Sequence, residues 1–254
     1  MTLSALDWRR RFIQQATWTR ELRQFLYRQV ELSQAKLVLD VGCGPGALET
    51  ELHTVLHGQV VGLDIASNYL ALAKEFSPQC IYVQGDVHQL PFPDRVFDVC
   101  LCHFLLLWLE DPLSALKEMR RICQPAGWVL IMAEPDYTGR LDYPPELAQL
   151  ATWQRQSLIQ QGADPSLGRR LAVLCQRAGL KDVQYGVLGG QWKARTDVTA
   201  WENEWQVLEN DLARLSPPPP SHKVAGLREL DLQASQNGER ILFVPTFYAW
   251  GRAS

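Results

Sequence analysis

The chain has 254 residues, 46% of them hydrophobic and 21% charged, which fits an ordinary globular protein with a sizeable core. With 25 Lys+Arg against 28 Asp+Glu the formal charge is -3, so no overall field draws in a polyanion and nucleic acid is a poor partner. The most apolar run, Val96 to Leu109, is too short for a membrane span and carries Asp98 and His103.

The start, MTLSALDWRRRF, has no apolar h-region, so no secretory signal is expected. Leu6 to Leu32 lacks Pro and Gly and reads as one or two helices. Leu37 to Val41 is a short buried strand that runs into Gly42, Gly44 and Gly46, where the backbone turns tightly or comes close to a ligand. A helix over Gly46 to Val55 follows, then a strand over Val60 to Leu63 ending at Asp64, and a helix over Asn68 to Phe76. Cys80 to Val83 is a third strand ending at Gly85-Asp86, and Val96 to Cys102 a fourth. Asp111-Pro112 starts a helix over Leu113 to Cys123, and WVLIMAE is a fifth strand after Pro125-Ala126-Gly127. This alternation predicts an α/β fold, doubly wound and Rossmann-like, with a mostly parallel sheet covered on both faces.

Beyond Glu134 the rhythm changes. Helices are expected over Glu146 to Gln161, Leu167 to Ala178, Asp197 to Leu215 and Lys223 to Gln236, a strand over Val183 to Leu188, and a last strand ILFVPTFYAW in which Pro245 marks an edge or bulge. The chain therefore divides into a helical segment, 1–34, a core, 35–135, and a C-terminal part, 136–254, whose insertions 136–165 and 193–238 form a cap. Six cysteines, at 43, 80, 100, 102, 123 and 175, make no C-x-x-C pair and no His/Cys ligand spacing. They read as buried reduced thiols, with no metal site, in a cytoplasmic protein.

Ligands of an open parallel sheet bind beyond the carboxyl ends of its strands. Those ends carry Asp40 through Gly46, Asp64, Asp86, Cys102-His103 and Glu134. Asp at three of the five ends suits a ligand with hydroxyls, amines and net positive charge better than a phosphate, which wants amides and basic groups. Asp64 can accept both hydroxyls of a ribose, or can cap the helix that begins near Ser67. Asp86 can accept an exocyclic adenine amine with Val87 against the ring, or can merely form a turn. Gly42, Gly44 and Ala47 also satisfy the dinucleotide fingerprint, so a nicotinamide cofactor and an NAD(P)-dependent oxidoreductase stay open on these residues, as does a non-catalytic binding module.

Gly46, Gly85-Asp86 and the following LPFPDRVFDVC tilt the balance. Together VLDVGCGPG, GLDIAS, GDVHQLPFPDRVFDVC and LEDPLSALKEMRRICQPAGWVLI resemble the class I S-adenosylmethionine-dependent methyltransferases, in particular the type 11 group related to ubiquinone and menaquinone biosynthesis methyltransferases. The resemblance covers roughly residues 35 to 135. It implies a seven-stranded sheet with an antiparallel last strand, S-adenosyl-L-methionine as cofactor, S-adenosyl-L-homocysteine as product and a small-molecule methyl acceptor. It assigns Asp40, Gly42, Cys43, Gly44 and Gly46 to the methionine part, Asp64 and Ile65 to the ribose side, and Asp86 with Val87 to adenine. It brings His103 to the cofactor or acceptor, where it is the best candidate for a base. It further implies that Arg11, Gln15, Trp18 and Arg20 belong to a lid over the cofactor's carboxylate, a solvated helix face being the alternative.

For the acceptor, Glu134, Asp136 and Tyr137 point to the crevice or belong to an ordinary loop, and Arg140 could hold an acid. Trp192, Trp201, Trp205 and Tyr248 line an aromatic pocket, although the helical spacing of Trp201 and Trp205 equally suits a core.

Overall fold

The structure is a computed structural model that describes residues 4–190 and 197–254. Trp192 and the first residues of the expected second cap insertion, 193–196, lie outside the described residues.

Five strands, β1 (Leu37–Val41), β2 (Gln59–Asp64), β3 (Ile81–Gln84), β4 (Phe97–Cys102) and β5 (Cys123–Pro135), pair in parallel. With β7 (Lys181–Leu188) and β9 (Thr246–Arg252) they form a seven-stranded sheet in the order β3-β2-β1-β4-β5-β9-β7. The last strand, β9, is antiparallel to both of its neighbours, as expected. Strand order reverses between β1 and β4, which opens a crevice at that point. The register aligns Val41 with Leu63 on one side and Cys102 on the other, so Asp64 and His103 flank the glycine turn at one edge of the sheet.

Period-two alternation divides the strands between two cores. Leu39, Val41, Leu63, Cys100, Cys102, Val129 and Ile131 pack beneath α5 (Pro112–Ile122) and α7 (Leu171–Arg177). Val38, Val60, Val99, Leu101, Leu130 and Met132 pack beneath α2 (Arg20–Gln29) and α3 (Glu49–Val55). All six cysteines are buried and unbridged. Helix starts follow side-chain chemistry: Ser4 and Asp7 form a reciprocal capping box at α1 (Ala5–Trp18), and the Asp111 carboxylate accepts the Ser114 amide at 3.0 Å ahead of Pro112. The fourth helix of the core, α4 (Ser67–Phe76), runs between β2 and β3.

Three boundaries differ from expectation. Helix α3 begins at Glu49 and not Gly46, because Gly46, at φ 78°, still belongs to the turn. Strand β5 extends back through the expected Pro125-Ala126-Gly127 turn, which is absorbed as a register shift opposite β4. The expected single last strand is two: β8 (Ile241–Phe243) leaves the main sheet to pair with β6 (Leu141–Tyr143), and β9 starts after Pro245, which cannot donate to a ladder.

Helices α6 (Ala148–Gln160), α8 (Val198–Ala213) and α9 (Ser221–Gln236) close a third core around Leu147, Leu150, Trp205, Leu208 and Leu212. Beside it Asp142 receives two bonds from Arg140, at 2.8 and 2.9 Å, and one from Arg240 at 2.6 Å. Arg240 also pairs with Asp231, which accepts the indole N–H groups of Trp201 and Trp205. Among the described residues no helix is long and apolar enough to cross a membrane.

Candidate functional site

The glycine turn is held from β2. The Gly42 and Cys43 amides donate to the Leu63 carbonyl at 2.7 and 3.0 Å, and the Gly44 amide donates to the Asp64 carboxylate at 2.9 Å. The other Asp64 oxygen accepts the Ala66 amide at 2.9 Å, while the N-cap of α4 has no side-chain bond. Asp64 thus staples the turn and leaves helix capping aside. Gly42, Gly44 and Gly46 all have positive φ, and a Cβ on Gly46 would stand 3.1 Å from the Ala73 backbone. Ile65, the next residue, is 68% exposed and faces outward, whereas Val87 is buried. Asp86 is exposed and accepts both the His88 amide and its ring Nδ1–H at 2.8 Å, bonds that hold its carboxyl below the usual range.

Beneath the turn lie two acids of a different kind. Asp40 is 2% exposed, and no hydrogen bond reaches its carboxylate among the described residues. Burial, then the charges of Glu49 and Asp64, push its pKa well up. Glu49 is fully buried: one oxygen accepts the Leu48 amide at 3.2 Å, and Oε1 has no partner among the described residues. The same burial pushes the Cys43 thiol up, so it is a packed thiol and not a thiolate.

His103 ends β4 and shares a 2.8 Å hydrogen bond between Nε2 and the Thr19 hydroxyl. Burial and the nearby Arg23 charge push its pKa down to about 3, so the imidazole is neutral. Arg23, which no motif signals, is 2% exposed and spans the Thr19 hydroxyl at 2.7 Å, the Ala16 carbonyl and both Glu51 oxygens. Its neighbour in sequence, Arg20, is exposed, as is Trp18. The lid residue that the structure engages is Arg11, which pairs with Glu204 of α8, where Gln14 also donates at 3.2 Å. The next residue, Phe12, approaches Gly44 and packs edge-on against Tyr69.

The expected acceptor residues separate. Glu134 is fully buried, and its carboxylate accepts the amides of Leu105, Leu106 and Leu107 at 3.0, 2.7 and 3.1 Å; it terminates the segment after β4 and is not offered to a ligand. Burial lifts its pKa to about 8 against those three donors. Asp136 accepts the Thr138 and Gly139 amides and pairs with Arg169. Trp205 is 3% exposed and belongs to the cap core, and Arg140 is spent on Asp142. Tyr137 alone keeps mixed company, half-buried within the electrostatic reach of Arg11, Glu204 and Asp211. The signal for Glu49 was present in the sequence, an acid three residues after the last glycine, but an acid in a first helical turn ordinarily complements the helix dipole.

Residues 39–131 match the methyltransferase domain family. An uncharacterised methyltransferase of Schizosaccharomyces pombe is 34% identical over 147 residues, and the chain spans about half of that relative's length, 52%. Demethylmenaquinone methyltransferase of Bacillus licheniformis is 31% identical over 192 residues, covering 68% of this chain and 81% of the relative. The fold is shared with phosphoethanolamine N-methyltransferase 2 of Haemonchus contortus, solved with S-adenosylhomocysteine, at a TM-score of 0.55 and 17% identity over 92% of this chain and 53% of that one. With that extent of match, and with strand order and glycine turn in agreement, the chain belongs to the S-adenosylmethionine-dependent methyltransferase family.

Proposed function

We propose that this protein methylates a small molecule at the crevice between β1 and β4, with S-adenosylmethionine as donor. The observation that carries the reading is the pairing of a positive-φ glycine turn with two buried acids, Asp40 and Glu49, that accept no bond from a cationic side chain among the described residues, at the switch point of the sheet. A pyrophosphate would oppose any ionisation of these acids and find no cation among them, whereas a cofactor bearing an ammonium and a sulfonium favours their carboxylate forms and meets complementary charge. When bound, that group supplies a methyl carried on a positively charged sulfur, which the acceptor's electron pair takes while sulfur keeps the old bonding pair.

The chain's own residues then bind, orient and exclude water. Asp64 accepts the Gly44 amide of the turn on one oxygen and the Ala66 amide on the other, and each oxygen keeps a further lone pair for a ribose hydroxyl. Asp86, Val87 and Ile65 form the adenine end, with the exposed Asp86 carboxylate as acceptor. Asp40, Cys43 and the glycine amides form the methionine end. Helix α1 covers the turn through Phe12. His103, with a proton affinity so depressed, is a weak base at neutral pH; we assign it the orientation of Thr19 and of the acceptor, not proton removal. Tyr137, within electrostatic reach of the Arg11–Glu204 pair, is assigned the acceptor side of the crevice.

Calorimetry with S-adenosylmethionine, S-adenosylhomocysteine and a nicotinamide dinucleotide tests the cofactor, followed by labelled-methyl transfer across phenols, amines, carboxylates and acidic carbons. Binding of the dinucleotide alone would overturn the reading. Cofactor binding with no transfer to any acceptor would move the protein to the non-catalytic alternative.

A further inference from the structure

Glu49 is the residue for which the fold and the family motifs supply no role. It opens α3, directly below the glycine turn, and its Oε2 lies 3.5 Å from where a Cβ on Gly46 would be. The side chain is entirely buried, and Oε1 has no hydrogen bond among the described residues. An ionised carboxylate oxygen left in that state is costly.

The groups around it sharpen the conflict. Asp64 lies on β2, and Asp40 on β1 is a second buried acid whose own pKa is pushed well up by burial and by the charges of Glu49 and Asp64, so the two buried acids disfavour each other's ionisation. Cys43 in the turn, Tyr82 on β3 and Cys80 before it are neutral groups whose ionisation Glu49 further opposes. Among the described residues, the cation that acts on Glu49 is Arg9 of α1, which lies over the Phe76 ring at 3.7 Å and has a buried Nε without a partner there. Arg23 is committed to Glu51. The pocket of acids is therefore short of positive charge on the side that faces the turn.

Resting on the cofactor reading above, we propose that Glu49 is a positioning residue of the cofactor site that carries a proton in the free protein and releases it when a cationic cofactor is seated at the glycine turn. Burial, which lifts the Glu49 pKa to about 7, places that exchange in the neutral range. The sign follows from linkage: a bound cation favours the carboxylate, so binding expels protons and affinity rises with pH until the free residue is already ionised. An acid buried only for packing would keep its proton throughout.

The test is calorimetry of the full chain with S-adenosylmethionine in two buffers of different ionisation enthalpy. Near pH 7 the wild type should release roughly half a proton, and its affinity should rise about five- to tenfold between pH 6 and pH 7.5. Glu49→Gln should lose most of both effects. The cofactor's own α-amino group, which titrates at roughly 7.7–8.0, contributes equally to the two proteins and cancels in the difference. S-adenosylhomocysteine, which lacks the sulfonium charge, should expel fewer protons than S-adenosylmethionine.

Should Glu49→Gln not fold, Arg9→Met gives a second reading: loss of the facing cation should move the proton-linked midpoint to higher pH. Equal proton release by wild type and Glu49→Gln, or an unmoved midpoint in Arg9→Met, overturns the proposal. Binding without proton exchange overturns it while leaving the cofactor reading intact. Failure of either cofactor form to bind the wild type brings down both.

Discussion

The acids of the crevice and the acids of the cap are equally buried and differently treated. In the cap, Asp142 has a fully covered side chain that accepts three guanidinium bonds, and Asp231 accepts one guanidinium and two indole bonds. In the crevice, among the described residues, Asp40 receives none and Glu49 receives a single backbone amide, although both are buried, at 2% and 0% exposure. Buried charge is tolerated when it is paired, so the cap acids are architecture. Charge left unpaired at strand tips is the mark of a site that expects its counter-ion from outside.

Breaking the cap side of this contrast should have the largest effect on stability. Asp142→Ala leaves the buried Arg140 without its carboxylate and Arg240 with Asp231 alone, and should cost about 3–5 kcal/mol in urea unfolding, which follows the usual penalty for halving a buried pair. The reverse holds in the crevice. Asp40→Asn removes mutual repulsion and should leave the unfolding midpoint unchanged or raised, while cofactor affinity measured by calorimetry falls at least about tenfold, the equivalent of one lost charge-assisted contact.

Gly46→Ala probes the turn between the two regimes. An L side chain at φ 78° with Cβ 3.1 Å from the Ala73 backbone should cost about 2–4 kcal/mol from conformational strain and overpacking, read as a lowered thermal midpoint together with weakened cofactor binding.

A pH series gives a finer test. His103 is neutral in the folded state with its pKa pushed down to about 3, whereas the unfolded chain takes up its proton near 6.5. The unfolded state therefore binds more protons between those values, and stability falls as pH drops from about 6.5 toward 3. His103→Gln should flatten that part of the curve of urea midpoint against pH. The smallest effect belongs to Arg20→Ala: the side chain is exposed, so both the midpoint and cofactor affinity should stay within about twofold of wild type in equilibrium terms.

The sheet half was legible because its chemistry is local. Leu37–Val41 is an apolar run that ends in glycines, and Asp64 and Asp86 each close a strand, so alternation and turn residues gave the element order and the tips. The resemblance added the antiparallel last strand. What could not be read was which acids are left unpaired. Glu134 and Asp40 occupy equivalent places near strand ends, yet the first is consumed by three amides from the segment after β4 and the second by nothing, a difference made by chain separated by 27–29 residues from Glu134. Trp205 and Arg140 are taken up by other acids: the indole of Trp205 meets Asp231 of α9, 26 residues away in sequence, and Arg140 turns back to Asp142 two residues on, in a strand, β6, that exists only because β8 pairs with it. Arg23 escaped notice because an arginine on an amphipathic helix looks solvated until Glu51 is brought to it.

Helix α1 touches the glycine turn with Phe12, the cap with Arg11 and, through Thr19 at its end, the tip of β4. A single rigid rod thus has three points of support, and it cannot lift from one without loading the others. Whatever loosens the Arg11 to Glu204 clasp in the cap changes the free energy of covering Gly44 by an equal and reciprocal amount. The cover over Gly44 and the clasp to the cap are consequently not separate contacts in this protein: they share a common lever fourteen residues long.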